Sequence, residues 1–109
     1  MIEAIVGNAT VEKVLLFLQT YGHGYAREIS ETFRLPLSQV QKQLRRLEDG
    51  GVVVSRRLGR TRLFEWNPRY PFLRPLRELL AEVLRYVPED ELQRYYRQRR
   101  RPRREGKPQ

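Results

Sequence analysis

VVVSRRLGRTRLFEW, residues 52–66, holds two runs rich in Val, Thr, Phe and Trp on either side of Leu58-Gly59-Arg60. β-Branched and aromatic residues favour extended backbone, so VVVSRR and TRLFEW are predicted strands. Gly59 offers the positive φ that a tight turn demands, which makes the pair a hairpin. A hairpin accounts for the apolar residues. It does not account for Arg56, Arg57, Arg60 and Arg62 gathered at its tip, where like charges repel. A partner of opposite charge is the first hypothesis.

Upstream of the hairpin the apolar period changes from two to the helical value. Asn8 is a good N-cap for ATVEKVLLFLQTYG, in which Val11, Val14, Leu15 and Leu18 line one face and Gly22 supplies a stop. A short second helix follows in GYAREISETFRL, with Ala26, Ile29 and Phe33 on one side. After the turn Arg34-Leu35-Pro36, a third helix over 38–49 opens with an expected capping box, Ser38 with Gln41. Val40, Leu44 and Leu47 form its buried stripe, and Gly50-Gly51 end it. Downstream, Asn67-Pro68 breaks the second strand and a fourth helix begins near Phe72.

That fourth helix has an unusually wide apolar face. Leu73, Leu76, Leu80, Val83 and Val87 alternate by threes and fours like a coiled-coil seam, while Phe72, Leu79 and Leu84 form a second edge that can also face the protomer's own core. Phe72, Leu73, Leu76, Leu80, Val83, Leu84 and Val87 are therefore the expected dimer interface, to which Ile2, Ile5 and Val6 could add. Pro88 ends the helix, EDELQRYYRQ can form one more short helix, and RRRPRREGKPQ is expected to be disordered. The chain thus divides into an N-terminal segment (1–7), a compact unit (8–67), an association helix (68–88) and a short helix with a basic tail (89–109).

With 109 residues there is room for one domain, and a hydrophobic share of 39% allows one modest core. The formal charge is +9, and it is concentrated. Residues 36–62 hold seven cations against two acids, and residues 88–109 hold eight against four. Nineteen of the 22 basic side chains are Arg, which suits bidentate contacts to phosphate and guanine, although genomic base composition produces the same bias. There is no cysteine, so disulfides and thiolate metal sites are excluded, and no apolar run is long enough to cross a membrane. A soluble, cytoplasmic protein with no membrane association is expected; MIEAIVGNAT is too short and too lightly apolar for a signal peptide.

Three helices, a short turn between the second and third, and then a hairpin is the order of a winged helix-turn-helix. VEKVLLFLQTYGHGYAREISETFRLPLSQVQKQLRRLEDGGVVVSRRLGRTRLFEWN resembles winged-helix transcriptional regulators of the ArsR-like group, especially the small versions beside or fused to minimal nucleotidyltransferases. The resemblance covers roughly residues 8–87 and rests on L-x-x-L-E-x-x-G-V-V-x-S-R-R-x-G-R-x-R-x-F. It implies a mainly α fold with a small β-hairpin wing (α+β) and an additional C-terminal dimerisation helix. It also implies a homodimeric regulator of double-stranded DNA, with the helix of 38–49 in the major groove. The wing (52–66) would lie on the flanking backbone or in the minor groove. The metal-sensing members use Cys or His clusters, whereas this chain has only His23, which reads as a turn residue beside two glycines. No metal and no cofactor are expected.

Geometry supports the same reading independently of the resemblance. At about 100° per residue, the stripe of Val40, Leu44 and Leu47 puts Ser38, Lys42 and Arg45 on the opposite face, flanked by Gln39, Gln41 and Arg46. Arg and Lys can read guanine and Gln can read adenine, so this is the inventory of a major-groove reader. It is also the inventory of a solvated helix face. The expected DNA-contacting residues are Ser38, Gln39, Gln41, Lys42, Arg45 and Arg46 from the helix, with Arg56, Arg57, Arg60 and Arg62 from the wing, where Arg56 and Arg62 straddle the strands. Arg27 starts the second helix beside Glu28 and Glu31, which favour a solvated face, and stands outside this set.

The tail reads either as a solvated terminus or as an arm making sequence-independent phosphate contacts, and Tyr95 and Tyr96 either stack on bases or pack on the fourth helix. Two other classes remain beside the regulator: an accessory or antitoxin-like partner of a nucleotidyltransferase, and an RNA-binding adaptor. An enzyme is not expected. Asp49 and Asp90 lie at exposed helix ends, and no nucleophile–base pair or phosphate-cradling Gly loop appears.

Overall fold

The computed structural model describes residues 1–98; the basic stretch read above as a disordered arm lies, from 99 onward, outside the described residues. The elements run in the order α1 (Glu3–Val6), α2 (Ala9–Tyr21), β1 (His23–Tyr25), α3 (Ala26–Phe33), α4 (Leu37–Asp49), β2 (Val53–Leu58), β3 (Thr61–Trp66), α5 (Leu73–Arg85) and α6 (Glu89–Glu91). A π-helical turn, Leu92–Tyr96, closes the described chain. This is a mainly α fold with a three-stranded antiparallel sheet in the order β1-β3-β2.

Helix α2 is the centre of the core. Asn8 caps it by accepting the Val11 N–H at 2.8 Å, and Gly22 closes it at φ 87. Val14, Phe17 and Leu18 on α2 are fully buried with Ile29 of α3, Val40 and Leu44 of α4, and Leu80 of α5. All of these belong to one cluster. Burial of each such side chain stabilises the fold by roughly 1.5–3 kcal/mol.

Helix α4 starts differently from the expectation. It begins at Leu37, with Pro36 at the N-cap, no side-chain cap, and the Pro36 carbonyl accepting from the Gln39 and Val40 N–H groups. The extended Pro36 (φ −58, ψ 132) sets the entry one residue early, so Ser38 already lies within the first turn and the Ser38–Gln41 capping box does not form. The other end is a Schellman motif. Val52 N–H reaches the Leu47 carbonyl at 2.9 Å and Gly51 N–H the Glu48 carbonyl at 3.0 Å, with Gly51 at φ 82. Asn67 Nδ2 then donates to the Gly51 carbonyl at 2.8 Å, fastening the far end of the hairpin to the same corner.

The hairpin turn is tighter than predicted. Leu58 pairs with Thr61, leaving only Gly59 and Arg60 as the loop, with Gly59 at φ 64. Glycine at the first of two loop positions is what a type II′ turn prefers. The third strand, β1, was not legible as one: His23 pairs with Glu65 and Tyr25 with Leu63. His23 is therefore an exposed strand residue rather than part of a turn. Gly24 is needed there for space, because a Cβ would stand 2.6 Å from the Phe17 ring.

Helix α5 divides its apolar face differently from the expectation. Leu80 is fully buried, Val83 and Val87 are buried with it in the protomer's core, and Phe72 is 63% exposed. Leu80, Val83 and Val87, expected at the dimer interface, are therefore spent on α5's own domain, while Phe72 stays exposed, as its place in that interface requires. Leu73, Leu76, Leu79 and Leu84 are only partly covered. The C-terminal turn also packs inward, with Tyr96 in the same buried cluster as Val83 and Val87. Tyr95 and Tyr96 stack around Phe33 of α3 at ring distances of 5.0 and 5.8 Å, and Tyr21 Oη donates to the Tyr95 carbonyl at 2.6 Å. Burial pushes the Tyr96 phenol far above its ordinary pKa.

Candidate nucleic-acid interface

Helix α4 buries Val40, Gln43, Leu44 and Leu47, and this fixes what its other sides display. Ser38, Gln39, Gln41, Lys42, Arg45 and Arg46 are all exposed. They do not form one surface. Gln41 and Arg45 flank the hairpin, whereas Arg46 turns to the other side. There its guanidinium donates to Gln43 Oε1 at 3.3 Å and to the Val6 carbonyl at 3.5 Å, lying against Gly7. Arg46 is moored to the N-terminal segment.

The register of the wing sorts its four arginines as well. Directly opposed residues of an antiparallel pair share a face, and successive residues alternate. Arg57 opposes Arg62, and this pair shares its face with Ser55 and Phe64. Arg56 opposes Leu63 on the other face, where its guanidinium lies 3.4 Å from the Glu65 carboxylate. Arg56 and Arg62 thus stand on opposite faces of the ribbon; the cross-strand neighbour of Arg62 is Arg57. Two guanidinium groups placed opposite one another destabilise an isolated hairpin, so this face favours a bound anion.

Helix α4, the wing and the start of α3 enclose one groove of about 470 Å³. Gln41, Arg45 and Glu48 line it from α4; Arg60, Thr61, Arg62 and Phe64 from the hairpin; Tyr25, Ala26 and Arg27 from the opposite wall. Four arginines therefore line one concavity, with Glu48 as its single acidic lining residue. Arg27, set aside in the sequence because of neighbouring Glu28 and Glu31, is one of the four. Its signal was its place in the first turn of α3, whose N-terminal N–H groups also favour an anion. Opposed low-dielectric walls concentrate the positive potential between them. Among the described residues, no group of three or more His, Cys, Asp or Glu is placed to hold a metal ion, and no helix is long and apolar enough to cross a membrane.

No protein-family profile and no curated protein matches the chain. Solved structures do match. A mutant of ZitR from Lactococcus lactis superposes with a TM-score of 0.56 at 17% identity, covering 79% of this chain and 66% of that one. The YusO protein of Bacillus subtilis gives 0.56 at 19% identity, covering 84% and 71%. The adhesin competence repressor AdcR of Streptococcus pyogenes gives 0.55 at 14%, covering 86% and 73%. The fold is a winged helix. ZitR is described as a zinc-responsive MarR family member, so the likeness runs to winged-helix regulators more broadly than the ArsR-like group that the sequence motif suggested. In winged-helix terms, α3 and α4 are the helix-turn-helix, and β2 with β3 is the wing. The chain spans about two thirds of ZitR's length.

Proposed function

We propose that this protein binds double-stranded DNA as a transcriptional regulator, with α4 in the major groove and the wing on the flanking backbone or minor groove. The observation that carries the reading is the convergence of Arg27, Arg45, Arg60 and Arg62 on the groove between α4 and the hairpin. Gln41 and Arg45 lie where base edges would pass, with Ser38, Gln39 and Lys42 exposed on the same helix. Arg60 and Arg62 are placed for phosphates beside them, and Arg57 shares the face of Arg62. Arg27 and the N-terminus of α3 would hold the phosphate on the other side. Arg56 and Arg46 have protein partners and take secondary parts. The ArsR-like motif and the winged-helix fold support this reading.

The reading includes a homodimer, because one winged helix covers only a half-site and symmetric readers place two recognition helices about 34–36 Å apart. Residues 8–67 would be the reader and 68–88 the association helix. With Leu80, Val83 and Val87 committed to the protomer's core, the contact falls to exposed Phe72 and to Leu73, Leu76 and Leu84, which the core covers only in part. Exposed Phe72 and partly covered leucines support that placement.

The test is a titration of labelled duplex DNA over a range of salt. Log K should fall linearly with log[salt], with a slope of about −0.9 for each phosphate contact. Binding that ignores salt, or strong preference for duplex RNA over duplex DNA, would overturn the reading. The second outcome would favour the RNA adaptor instead, and co-purification of a nucleotidyltransferase in place of DNA binding would favour the accessory role.

A further inference from the structure

Glu48 is out of place twice over. It is a carboxylate lining the arginine groove, and it sits in the last turn of α4, where the helix dipole disfavours negative charge. On a surface that meets a polyanion, both facts work against affinity. The hydrogen bonds around it supply a reason for its presence. Ser55 Oγ on β2 donates to Glu48 Oε2 at 2.7 Å, and the same Oγ accepts from Arg62 Nη1 on β3 at 3.1 Å. One chain of contacts therefore runs from α4 through both strands of the wing.

The direction of that chain matters. A serine hydroxyl has one proton and rotates freely to place it. The Glu48 carboxylate can only accept, so it takes the Ser55 proton and leaves the Ser55 lone pairs facing Arg62. Arg62 gives one of its five N–H groups to that oxygen and keeps the rest of its fork for another acceptor. Arg57, directly across the ribbon, pushes the Arg62 guanidinium away from itself. Ser55 is then the anchor that decides where the fork comes to rest. An arginine held in one orientation loses less entropy when it meets a phosphate than one that must be ordered on contact.

We propose that Glu48 is a positioning residue: acting through Ser55, it aims the Arg62 guanidinium at the phosphate backbone of the bound duplex. The inference rests on the DNA-binding reading above. It assigns to Glu48 a contribution that outweighs its own repulsion of phosphate. Glutamine at position 48 retains an acceptor for Ser55, whereas alanine does not, and this separates positioning from charge.

The experiment measures the salt slope of duplex DNA binding for Arg62→Ala made in four backgrounds: wild type, Glu48→Gln, Glu48→Ala and Ser55→Ala. Thermal melts followed by circular dichroism identify the folded variants. Ser55→Ala removes the anchor from a strand rather than a helix, so one break in the chain remains readable if Glu48→Ala fails to fold. In the wild type and in Glu48→Gln, Arg62→Ala should flatten the slope by about 0.9, the loss of one phosphate contact. In Glu48→Ala and Ser55→Ala the same change should flatten it by less than half as much, since Arg62 is no longer aimed. Equal flattening in all four backgrounds would overturn the positioning role while leaving DNA binding intact. No flattening in the wild type would remove Arg62 from the interface and the proposal with it. Failure of the wild type to bind duplex DNA would instead overturn the functional reading itself.

Discussion

Helices α4 and α5 are both 13 residues long and both bury an apolar stripe in the same core, yet the margins of the two stripes differ in kind. Outside its stripe, α4 displays Ser38, Gln39, Gln41, Lys42, Arg45 and Arg46. Outside its stripe, α5 displays Arg74, Glu78, Glu82 and Arg85, but Leu73, Leu76, Leu79 and Leu84 are only partly covered at the rim of the core and Phe72 stands exposed at the helix start. Water solvates the margin of α4 well and the apolar rim of α5 poorly. We therefore assign them partners of different chemistry: a polyanion for α4, and a second copy of the chain for the apolar rim of α5.

The largest expected effect tests which side of α5 belongs to the core. Leu80→Glu puts a carboxylate into a fully buried site and should destabilise the protomer by more than about 4 kcal/mol, measured by chemical denaturation. A folded monomer from this variant would mean that Leu80 lies at an interface after all. Leu76→Glu sharpens the comparison, because Leu76 is only partly covered. It should leave the fold standing while weakening self-association by roughly 1.5–3 kcal/mol per copy, the worth of burying a leucine. Sedimentation of wild type and variant reads this directly; a wild type that is monomeric at micromolar concentration would leave α5 without the proposed partner.

On the other helix, Arg45→Ala should weaken binding to the preferred duplex by about 1–3 kcal/mol and to random DNA by much less, if Arg45 reads a base. Equal losses on both would make it a phosphate contact. Arg60→Ala at the wing tip should act more evenly across sequences and flatten the salt slope by about 0.9. The smallest effect belongs to Arg56→Ala. Its exposed pair with Glu65 lies on the far face of the hairpin, so stability should change by less than about 1 kcal/mol and the salt slope hardly at all. A slope change as large as that of Arg60→Ala would show that both faces of the wing meet DNA.

What could be read from the sequence followed the range of the interactions involved. The Asn8 cap, the stripe of Val40, Leu44 and Leu47, the Gly50-Gly51 stop and the hairpin around Gly59 are all decided by residues a few positions apart. The features that escaped notice depend on distant partners. Strand β1 is three residues long and exists because β3, some forty positions later, offers it an edge. The facing of α5 was ambiguous because apolar residues occupy so much of its circumference that periodicity cannot choose between two edges. Contact with α2 makes the choice. Within the candidate site, the exposed positions of α4 followed from its stripe. The division of labour did not: Arg46 is drawn aside by Val6, Arg56 by Glu65, and Arg27 is brought in by the packing of α3 on α4.

The contrast between the two helices can be put to one experiment. A photo-reactive benzophenone amino acid is placed at position 41 in one preparation and at position 72 in another, and each is irradiated with the same labelled duplex. Gln41 lines the arginine groove on α4, and Phe72 stands exposed at the start of α5. The account predicts a protein–DNA adduct from position 41 and a protein–protein adduct from position 72. A DNA adduct from position 72 with none from position 41 would contradict it.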